Sequence, residues 1–216
     1  IIPKYTLFDV IKGKKSIDEI VIKYKENMHI IPGASGFYQL TELRGDQKKM
    51  LVRHLSELDS YDVIIIDSGA GISENVLTFL GSSSEVVIVT TPEPTALTDA
   101  YGIIKAIAAN SMDLSIKLVV NMIKHINQGK KVYQKIADVC HRFLSVKIDN
   151  LGYIYEDECV KKSVAMQKPL VLSFPESKAS HSIEHIVLRL EKMEHLIAQK
   201  KGVKKFLKKL FSFYDS

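Results

Sequence analysis

Short uninterrupted runs of aliphatic and β-branched residues recur along the chain and alternate with segments that have helical spacing. Four such runs are YDVIIID (61–67), EVVIVTTP (85–92), SIKLVVNMI (115–123) and the weaker KIDNLGYIY (147–155). Strands that are buried on both faces are apolar without alternation, and they occur mainly in parallel sheets. Strands of this kind between amphipathic helices predict right-handed βαβ units. The sequence therefore predicts an α/β fold with a mostly parallel sheet and helices on both faces.

The segments around these strands carry helix and turn signals. Ser16, followed by Glu19 three residues later, is a capping box, which predicts a helix over SIDEIVIKY (16–24). Gly13 is expected to end a short helix in TLFDVIKG. Further helices are predicted at 41–57, ENVLTFLGS (74–82), TDAYGIIKAIAAN (98–110), VYQKIADVCHRFL (132–144) and 176–199. A short strand is predicted at MHIIPG (28–33), and a loop is predicted at NQGKK (127–131).

The net charge of +5 is concentrated at the carboxyl terminus. Residues 200–216 contain six lysines and one acid, so of the 30 basic and 25 acidic residues 24 of each remain in residues 1–199. We expect a domain at 1–199 and a separate tail at 200–216. A neutral domain argues against nucleic-acid binding. The two cysteines form no CxxC motif, which argues against a zinc or disulfide framework and suits a reducing compartment.

In parallel α/β folds, ligands bind beyond the carboxyl ends of the strands. The first run ends in Asp67, which is followed by the glycines of D-S-G-A-G, Gly69 and Gly71. A carboxylate at this point can hold Mg²⁺ directly or through water, and the glycines permit close approach of a phosphate. A capped turn fits the same residues equally well.

Polar residues also lie near the end of the third run and directly after the fourth. Asn121, near the end of the third run, presents a donor and an acceptor that suit the edge of a purine, although a lone Asn is more often a turn former. Glu156 and Asp157 by themselves are interpreted as solvated loop charge. The chain has no G-x-x-x-x-G-K-[ST] string. The nearest string, KGKKS (12–16), is predicted to be a solvated turn.

Several of these strings together resemble a known family. YDVIIIDSGAGIS, EVVIVTTPEPTALTDAYGIIK and LVVN are similar to the MinD/ParA group of deviant-Walker ATPases. The strings DSGAG and TTPEPTALTDAY most resemble its FlhG branch, also called YlxH or FleN, which controls flagellar number and placement. The similarity covers nearly the whole chain. It implies a three-layer P-loop NTPase-like fold, with ATP and Mg²⁺ as cofactors and hydrolysis of ATP to ADP and phosphate.

The resemblance also implies roles for the strand-end residues. Asp67 corresponds to the Walker-B or switch II acid, which is catalytic and reaches Mg²⁺ through water. Gly71 would lie near the γ-phosphate, with Gly69 beside it. Asn121 corresponds to the residue that reads adenine, although Met122 follows it where Arg is common.

The end of the fourth run corresponds to the part of the family where the adenine pocket closes. The resemblance therefore assigns Glu156 and Asp157 to the nucleotide site, although Tyr155 stands where Pro is usual. In the family, the lysine-containing P-loop and its two flanking strands precede a segment like PKYTLFDV, with which this chain nearly begins. We therefore expect a fragment, active as an ATPase only when the P-loop is also present.

The tail KKGVKKFLKKLFSFYDS has an apolar stripe at helical spacing and lysines on its other faces. This pattern predicts an amphipathic helix that lies in a membrane interface. The alternatives are a last helix packed on the domain itself and a helix that docks on a partner protein. The predicted membrane-contacting residues are Val203, Lys204, Lys205, Phe206, Leu207, Lys208, Lys209, Leu210, Phe211 and Tyr214.

The resemblance implies a cycle between a cytosolic monomer and an ATP-bound homodimer on the inner face of the cell membrane. Its implied partners are anionic lipid, flagellar basal-body components and an SRP-type GTPase similar to FlhF. Two other functions remain open from the sequence. One is a septum-site-determining ATPase of the MinD type, and the other is a nucleotide-free scaffold of the same fold.

Overall fold

A computed structural model describes residues 2–33, 57–69, 71–110, 112, 114–195, 206 and 209. The chain divides into two units. The first comprises residues 1–69, 73–82 and 201–216, and the second comprises residues 70–72 and 83–200. The helix predicted at 41–57 lies, except for its last residue, outside the described residues.

The first unit is built from short elements. They are α1 (Leu7–Ile11), α2 (Ile17–Ile20), β1 (Ile22–Lys25), β2 (Met28–Ile30), a 3₁₀ turn (Glu57–Ser60) and α3 (Glu74–Ser82). The predicted capping box is confirmed, because the Ser16 N–H donates to the Glu19 carboxylate at 2.8 Å. The predicted extent of the helix is wrong. The helix ends at Ile20, and Ile22–Lys25 then form an antiparallel pair with β2.

The prediction of a buried strand at YDVIIID is wrong. Residues 61–69 form no strand, and none of the described residues pairs with them. The side chains from Val63 to Ile66 are exposed, and that of Ile65 is 87% exposed. A strand is stabilised by hydrogen bonds to a neighbouring strand. Without such a neighbour among the described residues, this apolar run forms no strand and is exposed.

The second unit contains the parallel sheet that the sequence predicts. Its strands lie in the order β3-β4-β5 and both pairs are parallel, which confirms the α/β class. Its elements are β3 (Glu85–Thr90), α4 (Pro94–Ala109), β4 (Ser115–Ile123), α5 (Ile126–Leu144), β5 (Asp149–Tyr155), α6 (Glu158–Ala165), α7 (Leu170–Ser173) and α8 (Lys178–His195). The four predicted elements from β3 to α5 and the last helix are confirmed, whereas α6 and α7 are not evident from periodicity.

Helices cover both faces of this sheet. Ile186 of α8 packs against Val119 and Leu151 on one face. Because side chains alternate along a strand, the fully buried Leu118 and Val120 point to the other face, which α4 and α5 cover. The predicted loop NQGKK is wrong, since those residues form the first turns of α5. Across the described residues, no helix is both long enough and apolar enough to cross a bilayer.

Candidate functional site

The carboxyl ends of the three parallel strands share one edge of the sheet. Thr90 pairs with Val120, and Ile123 pairs with Tyr155. The N–H of Glu156 then donates to the carbonyl of Ile123 at 2.9 Å, so the pairing extends past the end of β5. The fold therefore brings together three of the predicted site residues at this edge: Asn121, Glu156 and Asp157.

The side-chain amide of Asn121 is oriented by its own backbone. Its Oδ1 accepts the Met122 N–H at 2.8 Å, and Met122 has a left-handed φ of +58° that interrupts the ladder between β4 and β5. Left-handed backbone is uncommon for a residue other than glycine, and it clusters at ligand sites. The NH₂ group of Asn121 has no hydrogen-bond acceptor among the described residues. The amide can therefore present a donor at the edge of the sheet.

Asp157 is held by two helix N-termini. Its carboxylate accepts the N–H of Cys159 at 2.9 Å, as the N-cap of α6, and the N–H of Ala179 in α8 at 3.2 Å. Hydrogen bonds from Cys159 and then Ala179 lower the pKa of Asp157. Burial is the main cause that raises the pKa of the Cys159 thiol, followed by its hydrogen bond with Asp157. Asp157 thus fixes the start of both helices at this edge, next to the exposed Glu156.

A threonine that sequence reasoning missed fixes the end of β3. The Thr90 hydroxyl is buried and donates to the carbonyl of Ala96 at 2.9 Å. The Thr98 hydroxyl donates to the carbonyl of Pro94 at 3.0 Å, within the first turn of α4. The TTPEPT string therefore forms a strand-to-helix connection that is held by side-chain hydrogen bonds. The only sequence signal for it is a polar residue at the end of an apolar run.

The sequence predicts that Asp67, Gly69 and Gly71 lie at the end of a strand, but residues 61–69 form no strand, and all three are exposed and sterically open. Asp67 and Gly69 lie in the first unit, and Gly71 lies in the second. A Cβ atom built at either glycine would meet nothing within 4 Å, and Gly71 has a φ of +105°, which favours glycine. Their backbone is therefore accessible to an anionic ligand, and the carboxylate of Asp67 is accessible to a hydrated cation.

Two residues of the predicted tail helix are described, and both are helical. The ring of Phe206 stacks on the ring of Phe79 in α3, with centroids 6.4 Å apart and planes inclined by 22°. Phe206 and Lys209 are half-buried. The other predicted membrane residues lie outside the described residues: Val203, Lys204, Lys205, Leu207, Lys208, Leu210, Phe211 and Tyr214.

A family model described as "ParA: NUBPL iron-transfer P-loop NTPase" matches residues 41–191, which include β3 to β5 and the strand ends. The chain belongs to the ParA/MinD family of P-loop NTPases. This confirms the family resemblance indicated by YDVIIIDSGAGIS, EVVIVTTPEPTALTDAYGIIK and LVVN.

Two curated proteins are similar to this chain over most of its length, and the name of the second refers to the flagellum. The antiactivator FleN of Pseudomonas aeruginosa is 32% identical over 190 residues, which cover 88% of this chain and 68% of FleN. The flagellum site-determining protein YlxH of Helicobacter pylori is 33% identical over 212 residues, which cover 96% of this chain and 71% of YlxH.

A solved structure confirms the fold of the family. The septum site-determining protein MinD of Pyrococcus horikoshii, in complex with Mg-ADP, matches with a TM-score of 0.66 and 22% identity. The match covers 91% of this chain and 77% of that MinD chain. At this level of identity, the similarity establishes the fold alone.

Proposed function

We propose that this chain is the switch and base-recognition part of a MinD-like ATPase that regulates flagellar number and placement. The observation that carries the nucleotide part is the geometry of Asn121 and Met122 at the carboxyl edge of the sheet, where the amide is fixed with its NH₂ group available. The flagellar part is supported by the names of FleN and YlxH, each at least 32% identical to this chain.

The described residues fit ATP and Mg²⁺. Asp67 would hold the ion through a water molecule, and the open backbone at Gly69 and Gly71 would approach the phosphates. Asn121 would donate to a ring nitrogen of adenine, with Glu156 at the margin of the base. When bound, MgATP supplies the γ-phosphoryl group and the positive charge that stabilises its transfer.

The chain's own residues contribute position and charge. Asp67 keeps an exposed carboxylate available to a hydrated ion, and Gly71 allows a backbone conformation that a side chain would strain. The carboxylate of Asp157 is already occupied by two helix N-termini. Its role is therefore to hold α6 and α8 in place beside Asn121.

ATP turnover and nucleotide binding, measured with a P-loop segment of the family joined to this chain, test this assignment. Asp67→Ala should lower turnover by about tenfold or more, because the ion loses its carboxylate partner. Asn121→Ala should raise the KM for ATP more than it lowers kcat, and it should narrow the preference for ATP over GTP. Unchanged turnover in Asp67→Ala, or an unchanged preference in Asn121→Ala, would contradict the respective role.

The proposed cycle places an ATP-bound homodimer on the membrane through the tail. Each lysine near an anionic surface contributes about 1 kcal/mol, and each fully buried large apolar side chain roughly 1.5–3 kcal/mol. Ordering the helix costs about 1–2 kcal/mol per residue, so one tail binds weakly. Two tails on one dimer bind with much higher avidity. The resting localisation is cytoplasmic, with peripheral binding to the inner face of the membrane.

Vesicle binding tests the role of the tail. The double variant Phe206→Asp/Phe211→Asp should lose co-sedimentation with anionic vesicles in the presence of ATP. Deletion of 200–216 should leave the thermal unfolding of the domain nearly unchanged. A large loss of thermal stability on deletion would favour a tail that is a packed part of the domain, as the contact between Phe206 and Phe79 permits.

The proposed partners are basal-body components and an SRP-type GTPase, and the alternatives are septum placement and a nucleotide-free scaffold. The fold does not separate the first alternative, because the Pyrococcus horikoshii MinD shares it. Deletion of the gene separates all three. A change in flagellar number supports the proposal, minicells support septum placement, and full rescue by Asp67→Ala supports a scaffold.

A further inference from the structure

Helix α6 has an inverted distribution of polar and apolar side chains. Ser163 is buried and donates to the carbonyl of Val160 at 2.8 Å, whereas Val164 beside it is 71% exposed. A surface helix of a globular protein normally turns its apolar side chains inward. The packing of the described residues therefore does not account for the exposed Val164 on the outward face of α6.

The exposed apolar side chains continue through the turn into α7. Met166 is 50% exposed and Leu172 is 53% exposed. We define the α6–α7 surface as the exposed apolar side chains and lysines of residues 158–173: Val160, Lys161, Lys162, Val164, Met166, Lys168, Val171 and Leu172. Scattered single apolar residues are normal on a protein surface, but five within 13 residues of one helical hairpin indicate an interaction site.

The hairpin that presents this surface is hydrogen-bonded throughout. At the end of α6, the N–H of Gln167 donates to the carbonyl of Val164, and the N–H of Lys168 donates to the carbonyl of Ser163. The N–H groups of Leu172 and Ser173 both donate to Pro169. The apolar side chains are thus held outward by an ordered backbone.

The charge of the hairpin is positive. Residues 158–173 contain three lysines and one glutamate, a net charge of +2. Lys161 pairs with Glu158 at 2.8 Å, whereas the exposed Lys162 and Lys168 form no ion pair with any described residue. The surface therefore complements an anionic partner.

The residue types favour lipid over protein as that partner. Protein interfaces are enriched in aromatic residues and Arg and are depleted in Lys. Residues 158–173 contain no aromatic residue and no Arg. Aliphatic side chains beside lysines suit an anionic bilayer, since the aliphatic groups enter the interface while the lysine ammonium groups remain at the headgroups.

We propose that the α6–α7 surface is a second membrane contact that binds anionic lipid headgroups through its lysines and the acyl boundary through Val164 and Leu172. The inference rests on the proposed membrane association, but it involves residues separate from the tail. Each lysine near an anionic surface adds roughly fivefold to binding. Lys162→Gln/Lys168→Gln, which removes both positive charges, should therefore weaken vesicle binding by about 25-fold.

Tryptophan fluorescence tests the contact directly, because residues 1–216 contain no tryptophan and the same protein without Val164→Trp gives the background spectrum. The full-length protein carrying Val164→Trp is mixed, with ATP, with vesicles of equal parts phosphatidylcholine and phosphatidylglycerol, or of phosphatidylcholine alone. The proposal predicts a blue shift with the anionic vesicles only. Co-sedimentation of Val164→Trp without any blue shift would overturn the proposal and leave the role of the tail intact.

Co-sedimentation of aspartate variants separates this surface from the tail. Val164→Asp/Leu172→Asp should weaken binding about tenfold or more, whereas the matched control Val187→Asp/Leu188→Asp changes similarly exposed aliphatic residues of α8 and should not. Binding equal to that of the control would overturn the proposal. If Val164→Asp/Leu172→Asp loses vesicle binding and Phe206→Asp/Phe211→Asp does not, the result would support this contact and contradict the membrane role of the tail. If the tryptophan emission of Val164→Trp shifts to the blue with rising protein concentration in the absence of vesicles, the surface binds a second copy of the chain. This result would overturn the lipid proposal.

Discussion

The carboxylate of Asp157 accepts the backbone N–H of Ala179, which lies 22 residues later in the chain, at 3.2 Å. It also accepts the N–H of Cys159 at 2.9 Å, so one side chain caps the N-terminal turns of two helices. Asp157→Ala leaves both N–H groups without their partner. We expect the free energy of unfolding to fall by about 1–2 kcal/mol for each cap that is lost.

Urea denaturation measures this loss. Asp157→Asn is the control, because its side-chain oxygen can still accept a hydrogen bond while its charge is absent, and it should lose less stability than Asp157→Ala. Equal stability of Asp157→Ala and the wild type would show that the two hydrogen bonds contribute nothing net to folding.

The same hydrogen bonds make stability depend on pH. They lower the pKa of Asp157 in the folded state, with Cys159 as the larger cause. A lowered folded-state pKa gives stability that is present above the pKa of the unfolded chain and is lost as the pH falls through the folded-state pKa. The difference in unfolding free energy between wild type and Asp157→Asn should therefore shrink between about pH 5 and pH 2. A constant difference across this range would contradict the assignment.

Gly129 in α5 makes room for an aromatic ring of β5. A Cβ atom at this position would lie 2.6 Å from Cδ1 of Tyr153. Gly129→Ala should therefore lower the free energy of unfolding by about 1–3 kcal/mol, because the ring or the helix has to move. Thermal unfolding followed by circular dichroism measures the effect.

Gly102 in α4 is the matched control, because a Cβ atom there would meet nothing within 4 Å. Gly102→Ala removes the conformational entropy cost of a helical glycine and should raise the free energy of unfolding by about 0.5–1 kcal/mol. A fall in the free energy of unfolding for Gly129→Ala and a rise for Gly102→Ala would confirm that the space beside Tyr153 determines the effect of the added methyl group. The same sign for both would contradict it.

The parallel sheet could be predicted from the sequence because its signal is local. Uninterrupted apolar runs such as SIKLVVNMI coincide with β4 from its first residue to its last. The run YDVIIID has the same signal and yet forms no strand. A strand requires a hydrogen-bonded neighbour as well as an apolar sequence, and apolar composition does not reveal whether that neighbour is present.

The candidate site was predictable only in part for a similar reason. The position of Asn121 could be predicted because it lies near the carboxyl end of an apolar run. The left-handed φ of Met122 is a local backbone strain that residue type does not reveal. The double cap by Asp157 depends on a contact with Ala179, which is distant in sequence. From residue type alone, Asp157 is interpreted as a solvated charge in a loop. Its two helix partners become visible only when α6 and α8 are placed side by side.

Gln167 ends α6 in a conformation that suits glycine. It has a φ of +51°, and its N–H donates to the carbonyl of Val164 at 2.9 Å. A side chain in the left-handed region costs about 1–2 kcal/mol relative to right-handed backbone. Gln167→Gly should relieve part of this strain and raise the free energy of unfolding by about 0.5–1 kcal/mol.

The control for this prediction is Gln167→Ala, which retains the Cβ atom and should leave the free energy of unfolding nearly unchanged. Urea midpoints of the three proteins measure the difference. A stabilisation of similar size in both variants would show that the longer side chain of Gln167, rather than its backbone conformation, is unfavourable.

The stacked pair of Phe79 and Phe206 sets up a competition within the first unit. A ring that lies on Phe79 at a centroid distance of 6.4 Å is not available to enter a bilayer. Phe79→Ala removes one partner of a stack, and such stacks contribute about 0.5–1.5 kcal/mol. If the tail binds membranes as proposed, Phe79→Ala should increase binding to anionic vesicles by about two- to tenfold. Vesicle co-sedimentation without nucleotide is the measurement. Phe143→Ala is the matched control, because it removes an exposed ring of α5 and should leave binding unchanged. Binding of Phe79→Ala at or below that of the wild type would mean that this contact does not hold the tail back.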